Sequence, residues 1–222
     1  MTRKLSKLTL SVAASAVLAS SAFALDPAIT NFGYVNGGGN LTIFNAFDPT
    51  KIKTITGVSS GSVGVSPTGT FFYGTNMTAG TLMKYNAYNG ASITNITVGD
   101  HPMGITLSAD GSKAYVTNGI DNTVSVINTA TNAVTATVNV GNNPWGITLS
   151  ADGTKAYVTN STDNTVSVIN TTTNAVTATV NVGTTPEGVT LSADGSKAYV
   201  TNYNDNTVSV INTATNAVTA TV

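Results

Sequence analysis

From residue 102 onward, short apolar runs alternate with polar punctuation at a constant spacing. Gly104-Ile105-Thr106-Leu107-Ser108 reads as a strand, and Asp110-Gly111 follows as a hairpin turn, since Gly takes positive φ without a Cβ clash. Lys113 to Thr117 is the second strand and Asp121-Asn122 punctuates the loop after it. Thr123 to Ile127 is the third, followed by a turn around Thr131-Asn132. Val134 to Val140 is the fourth, alternating Val or Ala with Thr and Asn. Gly141 and Pro144 close the unit.

That unit is then written again. Ala114-Tyr115-Val116-Thr117-Asn118 recurs at Ala156–Asn160 and at Ala198–Asn202, a period of 42 residues. Between the units beginning at Pro102 and Pro144, seven of 42 positions differ. The register extends backwards: Tyr73-Gly74-Thr75-Asn76 lies 42 residues before Tyr115, and Tyr34-Val35-Asn36 with Leu41-Thr42-Ile43-Phe44 resembles a still earlier copy. Alternating Val or Ala with Thr leaves both faces of each sheet moderately apolar, as sheets covered on both sides require. Four strands per 42 residues match a β-propeller blade, about 40–45 residues long. The expected fold is therefore all-β, a propeller of four-stranded blades. A linear β-solenoid is the rival, but its coils are usually shorter and need no four-stranded meander.

The segments Pro-x-Gly-Ile-Thr-Leu-Ser, Ala-Asp-Gly-Ser-Lys-Ala-Tyr-Val-Thr-Asn and Thr-Val-Ser-Val-Ile-Asn resemble the YVTN-type β-propeller repeat of archaeal surface-layer proteins and many secreted bacterial proteins. Units 102–143, 144–185 and 186–222 match closely, and 33–101 loosely. The resemblance implies a ring that usually has seven blades, which needs about 290 residues. Nineteen strand signals, three in the first unit and four in each of the next four, give about 4.75 blades. An incomplete or open ring is expected, with self-association through its unpaired terminal strands.

Composition sharpens the picture at the amino terminus. Arg3, Lys4 and Lys7 precede an apolar, small-residue stretch from Leu8 to Ala19, and Ala22-Phe23-Ala24 supplies a cleavage site, so residues 1–24 read as a secretory signal peptide. The repeat domain is then 25–222, placed in the periplasm, at the cell surface or outside the cell. The Ser- and Thr-containing stretch is too short to cross about 30 Å of hydrocarbon comfortably. Charged residues are 9% of the chain, and beyond residue 24 six lysines face ten acids. A surface of that kind neutralises few phosphates, which argues against nucleic-acid binding. With no Cys and a single His, thiolate and His-cage metal sites are excluded within the chain, and no cofactor is expected.

Comparing near-identical units isolates the positions that vary. The Asp-Gly and Thr-Asn turns scarcely change. Most differences fall in the second-to-third-strand loop and the inter-blade loop, which share one face in a propeller. Met103, Trp145 and Glu187 occupy one repeat position at the start of the innermost strand. Ile120, Thr162, Tyr203 and Asn204 lie in the second loop, and His101 aligns with Asn143 and Thr185 between blades. This face is the candidate site for a protein, glycan or small ligand, with Trp145 and Tyr203 as flat amphipathic anchors. Exposed loops also vary simply because they tolerate change.

Little catalytic chemistry is visible. Asp110, Asp152 and Asp194 each precede a turn Gly and fit Asx-turn hydrogen bonding. Asp121, Asp163 and Asp205 fit turn capping better than a Ca²⁺ site, which needs six or more oxygens. Glu187 is the only Glu, and no nucleophile elbow or phosphate-cradling loop occurs. The reading favoured is a secreted or surface-displayed, non-catalytic interaction module. The alternative is a propeller enzyme of the lactonase or streptogramin-lyase sort, with its acids and His partly on further blades.

Overall fold

The computed structural model describes residues 61–87 and 90–222 with their side chains, and Phe32–Gly37 (β1), Asn40–Asn45 (β2) and Ile52–Thr56 (β3) as an antiparallel three-stranded sheet. The signal-peptide assignment at residues 1–24 lies outside the described residues. Four four-stranded antiparallel meanders follow. They are Val63–Val65, Phe71–Asn76, Thr81–Asn86 and Ser92–Thr97 (β4–β7), then Pro102–Leu107, Lys113–Asn118, Thr123–Asn128 and Ala133–Asn139 (β8–β11). Pro144–Leu149, Lys155–Asn160, Thr165–Asn170 and Ala175–Asn181 form β12–β15, and Pro186–Leu191, Lys197–Asn202, Thr207–Asn212 and Ala217–Thr221 form β16–β19.

The sheets stand face to face as blades of an open propeller. The first strands β4, β8, β12 and β16 lie side by side on the inside, and the last strands β7, β11, β15 and β19 only touch at the rim. Each junction buries both flanks. Tyr115, Val124, Val126 and Val138 of one blade meet Ile147, Ala156, Val158 and Ile169 of the next. Tyr73, Leu82 and Ile96 meet Ile105, Ala114, Val116 and Ile127 in the same way, and Tyr157, Val166, Val168 and Val180 meet Ala198, Val200 and Ile211. Each fully buried Val or Ile contributes about 1.5–3 kcal/mol. The two-sided apolar pattern of the strands is thus matched by blades packed on both sides.

The turns follow local chemistry. At the β8–β9 hairpin Gly111 sits at φ 71° and its N–H donates to the Ser108 carbonyl. The Asp110 carboxylate accepts from the Ser112 N–H at 3.0 Å, the Asx geometry expected. Asn132, Asn174 and Asn216 hold the left-handed position of the β10–β11 type turn, which Asn tolerates.

Two bulges recur in each of the three near-identical units, and one moves an expected boundary. The first strand begins at Pro102, two residues before the expected Gly104, and register slips between Pro102 and Ile105. One extra residue is therefore bulged out around Met103-Gly104, and likewise at Trp145-Gly146 and Glu187-Gly188. In the outer strands the extra residue is Thr135, Thr177 or Thr219, whose hydroxyl donates to the Val126, Val168 or Val210 carbonyl at 3.1–3.2 Å.

Candidate functional site

The inner-strand bulge builds the candidate site. Because the Met103, Trp145 and Glu187 main chains leave the ladder, their carbonyls reach the preceding blade. Thr75 Oγ1 donates to the Met103 carbonyl at 3.0 Å, Thr117 to Trp145 at 2.8 Å and Thr159 to Glu187 at 2.8 Å. The same hydroxyls accept from the N–H of Gly61, Gly104 and Gly146 on their own blade. Each bulge is thus fixed at both ends by main-chain bonds, leaving its side chain free to vary.

Those side chains line a groove along the inner strands. Met103, Trp145 and Glu187, with Thr201 and the glycines beside them, border a cavity of about 350 Å³. Met103 is buried, Trp145 is 37% exposed and Glu187 is half-buried. A thioether, an indole and a carboxylate thus stand one per blade at equal register, able to stack on a flat ligand and to accept its hydrogen bonds.

The remaining expected residues lie on the face formed by the inter-blade and second loops, but do not enter this groove. Hydrogen bonds join the two loop types: the Gly119, Ser161 and Tyr203 N–H groups donate to the His101, Asn143 and Thr185 carbonyls at 2.9 Å. Ile120 and Tyr203 are 61% and 62% exposed, and Thr162 and Asn204 are exposed beside them. They stand one or two per blade in the loops after the second strands. His101, Asn143 and Thr185 all have φ between 54° and 57°, so this position is set by left-handed backbone. His and Asn accept that conformation, whereas a β-branched Thr is strained there. Thr185 is held by the Asn164 side chain on its N–H at 2.9 Å and by Asn204 Nδ2 on its hydroxyl at 2.7 Å.

The repeated loop carboxylates work between loops, where the sequence suggested caps of their own turns. Asp121, Asp163 and Asp205 accept from the N–H of Asp100, Asn142 and Thr184, 21 residues upstream, at 2.7–2.8 Å. These donors hold the Asp163 carboxyl below its ordinary value. On the opposite face Ser108 and Ser112 bring Asp110 down to about 2, and Ser192 and Ser196 do the same for Asp194. Among the described residues no group of three or more His, Asp or Glu is placed to hold a metal ion. No helix of the described residues is long and apolar enough to cross a membrane.

One functional group escaped the sequence reading. Lys84 stands where the later units carry Val126, Val168 and Val210, and it is 7% exposed. Its Nζ donates to the Thr129 carbonyl at 2.9 Å and Asn132 Oδ1 at 3.2 Å, and lies 4.4 Å from the centre of the Phe71 ring. Burial pushes the amine below its usual range. A comparison of the 42-residue register at this position would have flagged it.

A fan of repeated four-stranded sheets around inner strands defines a β-propeller-like protein. No protein-family model and no curated protein sequence matches the chain. Among solved structures it is similar to the hydrazine synthase of Kuenenia stuttgartiensis, with a TM-score of 0.71 and 24% identity over 73% of this chain. It is also similar to a functionally unknown protein from Desulfotomaculum acetoxidans DSM 771, with a TM-score of 0.75 and 19% identity over 87% of this chain and 68% of that one. The chain spans about half, 48%, of the hydrazine synthase chain it matches. Likeness at these identities establishes the fold, and functions are grafted onto folds by their sites.

Proposed function

We propose that this chain is a secreted or cell-surface β-propeller interaction module of the YVTN-repeat type, non-catalytic, which holds a protein, glycan or small ligand at its groove and the loop face around it. The observation that carries the reading is the repeated inner-strand bulge. It projects Met103, Trp145 and Glu187 into one groove from an otherwise near-identical backbone. Varying side chains on an invariant, hydrogen-bonded support is how a rigid scaffold displays a binding surface. Trp145 supplies an amphipathic stacking face, Glu187 an acceptor, and exposed Tyr203 a second aromatic platform nearby.

Trp145 is the only tryptophan, so its fluorescence reports on the groove directly. A panel of soluble oligosaccharides, titrated against the protein, is expected to contain a member that shifts this emission saturably. Replacing Tyr203 and Glu187 with alanine should abolish the shift while leaving the far-UV circular dichroism unchanged. An unmoved emission across oligosaccharides, peptides and small organic acids would remove the proposal. Amino-terminal sequencing of exported protein checks the location, with a start just after Ala24 expected.

A further inference from the structure

Charge is divided between the two faces of the blades. Among the described residues the lysines are Lys84, Lys113, Lys155 and Lys197. The last three follow the Asp-Gly hairpins, and Lys84 reaches the Thr129 carbonyl and Asn132 in the β10–β11 turn, so all four belong to the turn face. Asp110, Asp152 and Asp194 share that face with them. The loop face carries Asp100, Asp121, Asp163, Asp205 and Glu187, and among the described residues it has no lysine or arginine, His101 being its one basic side chain. Main-chain N–H groups hold Asp121, Asp163 and Asp205, and neutral donors of that kind favour the ionised carboxylate.

That negative face adjoins the groove. The Gly119, Ser161 and Tyr203 N–H groups bond to the residues two before Met103, Trp145 and Glu187, and Asp121, Asp163 and Asp205 lie two residues beyond those donors. A Cβ on Gly119 would lie 3.5 Å from Met103 Cγ, so the second loop packs directly beside a groove side chain. Within the groove, Trp145 and Glu187 stand on neighbouring blades whose main chains meet, the Glu187 carbonyl filling the space a Cβ on Gly146 would take. Both positions are set by the preceding blade, through the bulge carbonyls that Thr117 and Thr159 hold. Among the described residues neither the indole nor the carboxylate has a hydrogen-bond, ring or ion-pair partner.

We infer that the ligand of this groove presents an organic ammonium group, taken by the Trp145 ring and the Glu187 carboxylate together; the inference rests on the groove being the binding site. An indole face attracts a cation within about 6 Å of its centre, more strongly than Tyr or Phe does. The half-buried Glu187 carboxylate supplies the counter-charge that an ammonium leaving water needs. Met103 adds a polarizable wall suited to N-methyl or methylene groups. A Ca²⁺ ion takes six or more oxygens, which one carboxylate beside an indole and a thioether does not provide. Anions meet the carboxylates of the loop face, so the same field that draws a cation in keeps them out. The cavity of about 350 Å³ lies at the small end of ligand pockets, which span about 300–1,000 Å³, and has room for one head group. A free alkylammonium ion and the lysine side chain of a peptide offer this same chemistry.

Calorimetric titration of the full chain, with Trp145 emission followed in parallel, tests it. The probes are choline and a Gly-Lys-Gly peptide blocked at both ends. Each has a neutral twin: 3,3-dimethyl-1-butanol, which has choline's shape without its charge, and the same peptide acetylated at Nζ. At least one ammonium probe should bind saturably and move the emission, with its twin weaker by about tenfold or more. Choline binding the tighter names a free ion as the source, and the peptide binding the tighter names a protein side chain. Glu187→Gln keeps the shape and removes the charge, so it should weaken the ammonium probe about tenfold and leave the neutral twin where it was. Its far-UV circular dichroism and urea midpoint should match the wild type. Raising salt from about 50 to about 500 mM should weaken only the ammonium probes, by screening the loop carboxylates. Neutral twins that bind as tightly as the ammonium probes, or a Glu187→Gln variant that binds those probes unchanged, overturn the inference. So does a neutral oligosaccharide or an organic acid that moves the emission while both ammonium probes fail, and the groove reading then survives. Silence from every ligand removes both.

Discussion

Replacing Thr159 with valine separates junction chemistry from everything else in the blade. Thr159 is fully buried, and its hydroxyl bridges two main chains, accepting from the Gly146 N–H and donating to the Glu187 carbonyl, both at 2.8 Å. Valine keeps the shape and removes both bonds, leaving a donor and an acceptor facing a methyl group. An unsatisfied buried group costs about 1–3 kcal/mol, and the two share one site, so the expected loss is about 2–3 kcal/mol. For a chain of this size that corresponds to a fall in Tm of about 4–12 °C. Thr201→Val is the internal control: same residue, same neighbours within the blade, but no carbonyl across a junction and an exposed position. Water replaces its lost bond, and the change should cost under about 0.5 kcal/mol. Urea titration followed by circular dichroism gives both numbers with an unchanged slope. Equal losses for the two variants would refute the idea that the hydroxyl acts between blades.

Three further outcomes are expected. Asn118→Ala removes a fully buried amide that donates to Thr123 and Ser125 hydroxyls at 2.9 Å and accepts from the Gly99 N–H at 3.1 Å; urea titration should show a loss of about 2–4 kcal/mol. Lys84 has a folded-state pKa below its ordinary 10.5, so between the two values the unfolded chain binds more protons and stability rises with pH. The wild type should therefore gain on Lys84→Met in midpoint as pH is raised through the alkaline range towards 10.5, and parallel midpoints would contradict the burial argument. Asp110 and Asp194 lie near 2 in the fold against an ordinary 3.8, so their contribution is present above about 4 and lost as pH falls towards 2. The acid unfolding curve of the Asp110→Asn, Asp194→Asn double variant should be flatter across that window.

Much of the architecture was legible because it is local and repeated. Asp-Gly and Thr-Asn turns depend on backbone preference at one residue. Val/Thr alternation declares which side chains leave each face, and the 42-residue period multiplies these signals until the blade count is unambiguous. The strand count of three, then four in each of four units, follows from that periodicity. The periodicity also singled out Met103, Trp145 and Glu187, because a position that varies within a near-copied unit stands out without any knowledge of the fold.

What the sequence left open is whatever depends on a neighbour 21 or more residues away. Nothing local marks Thr117 as a donor to the Trp145 carbonyl, or Gly104 as the gap through which that carbonyl passes. The inner-strand bulge looks like ordinary strand until the next blade is in place, and so the apolar pattern alone starts the strand at Gly104, two residues after Pro102. The groups linking loop to loop, Asp163 to Asn142 among them, look in sequence like caps of their own turns for the same reason. Lys84 is polar by composition and core by position, a distinction only the packed junction makes. Hydrophobic period and turn chemistry are written residue by residue, whereas the groove arises from the stacking of whole sheets, where one blade's main chain becomes the binding partner of another's side chains.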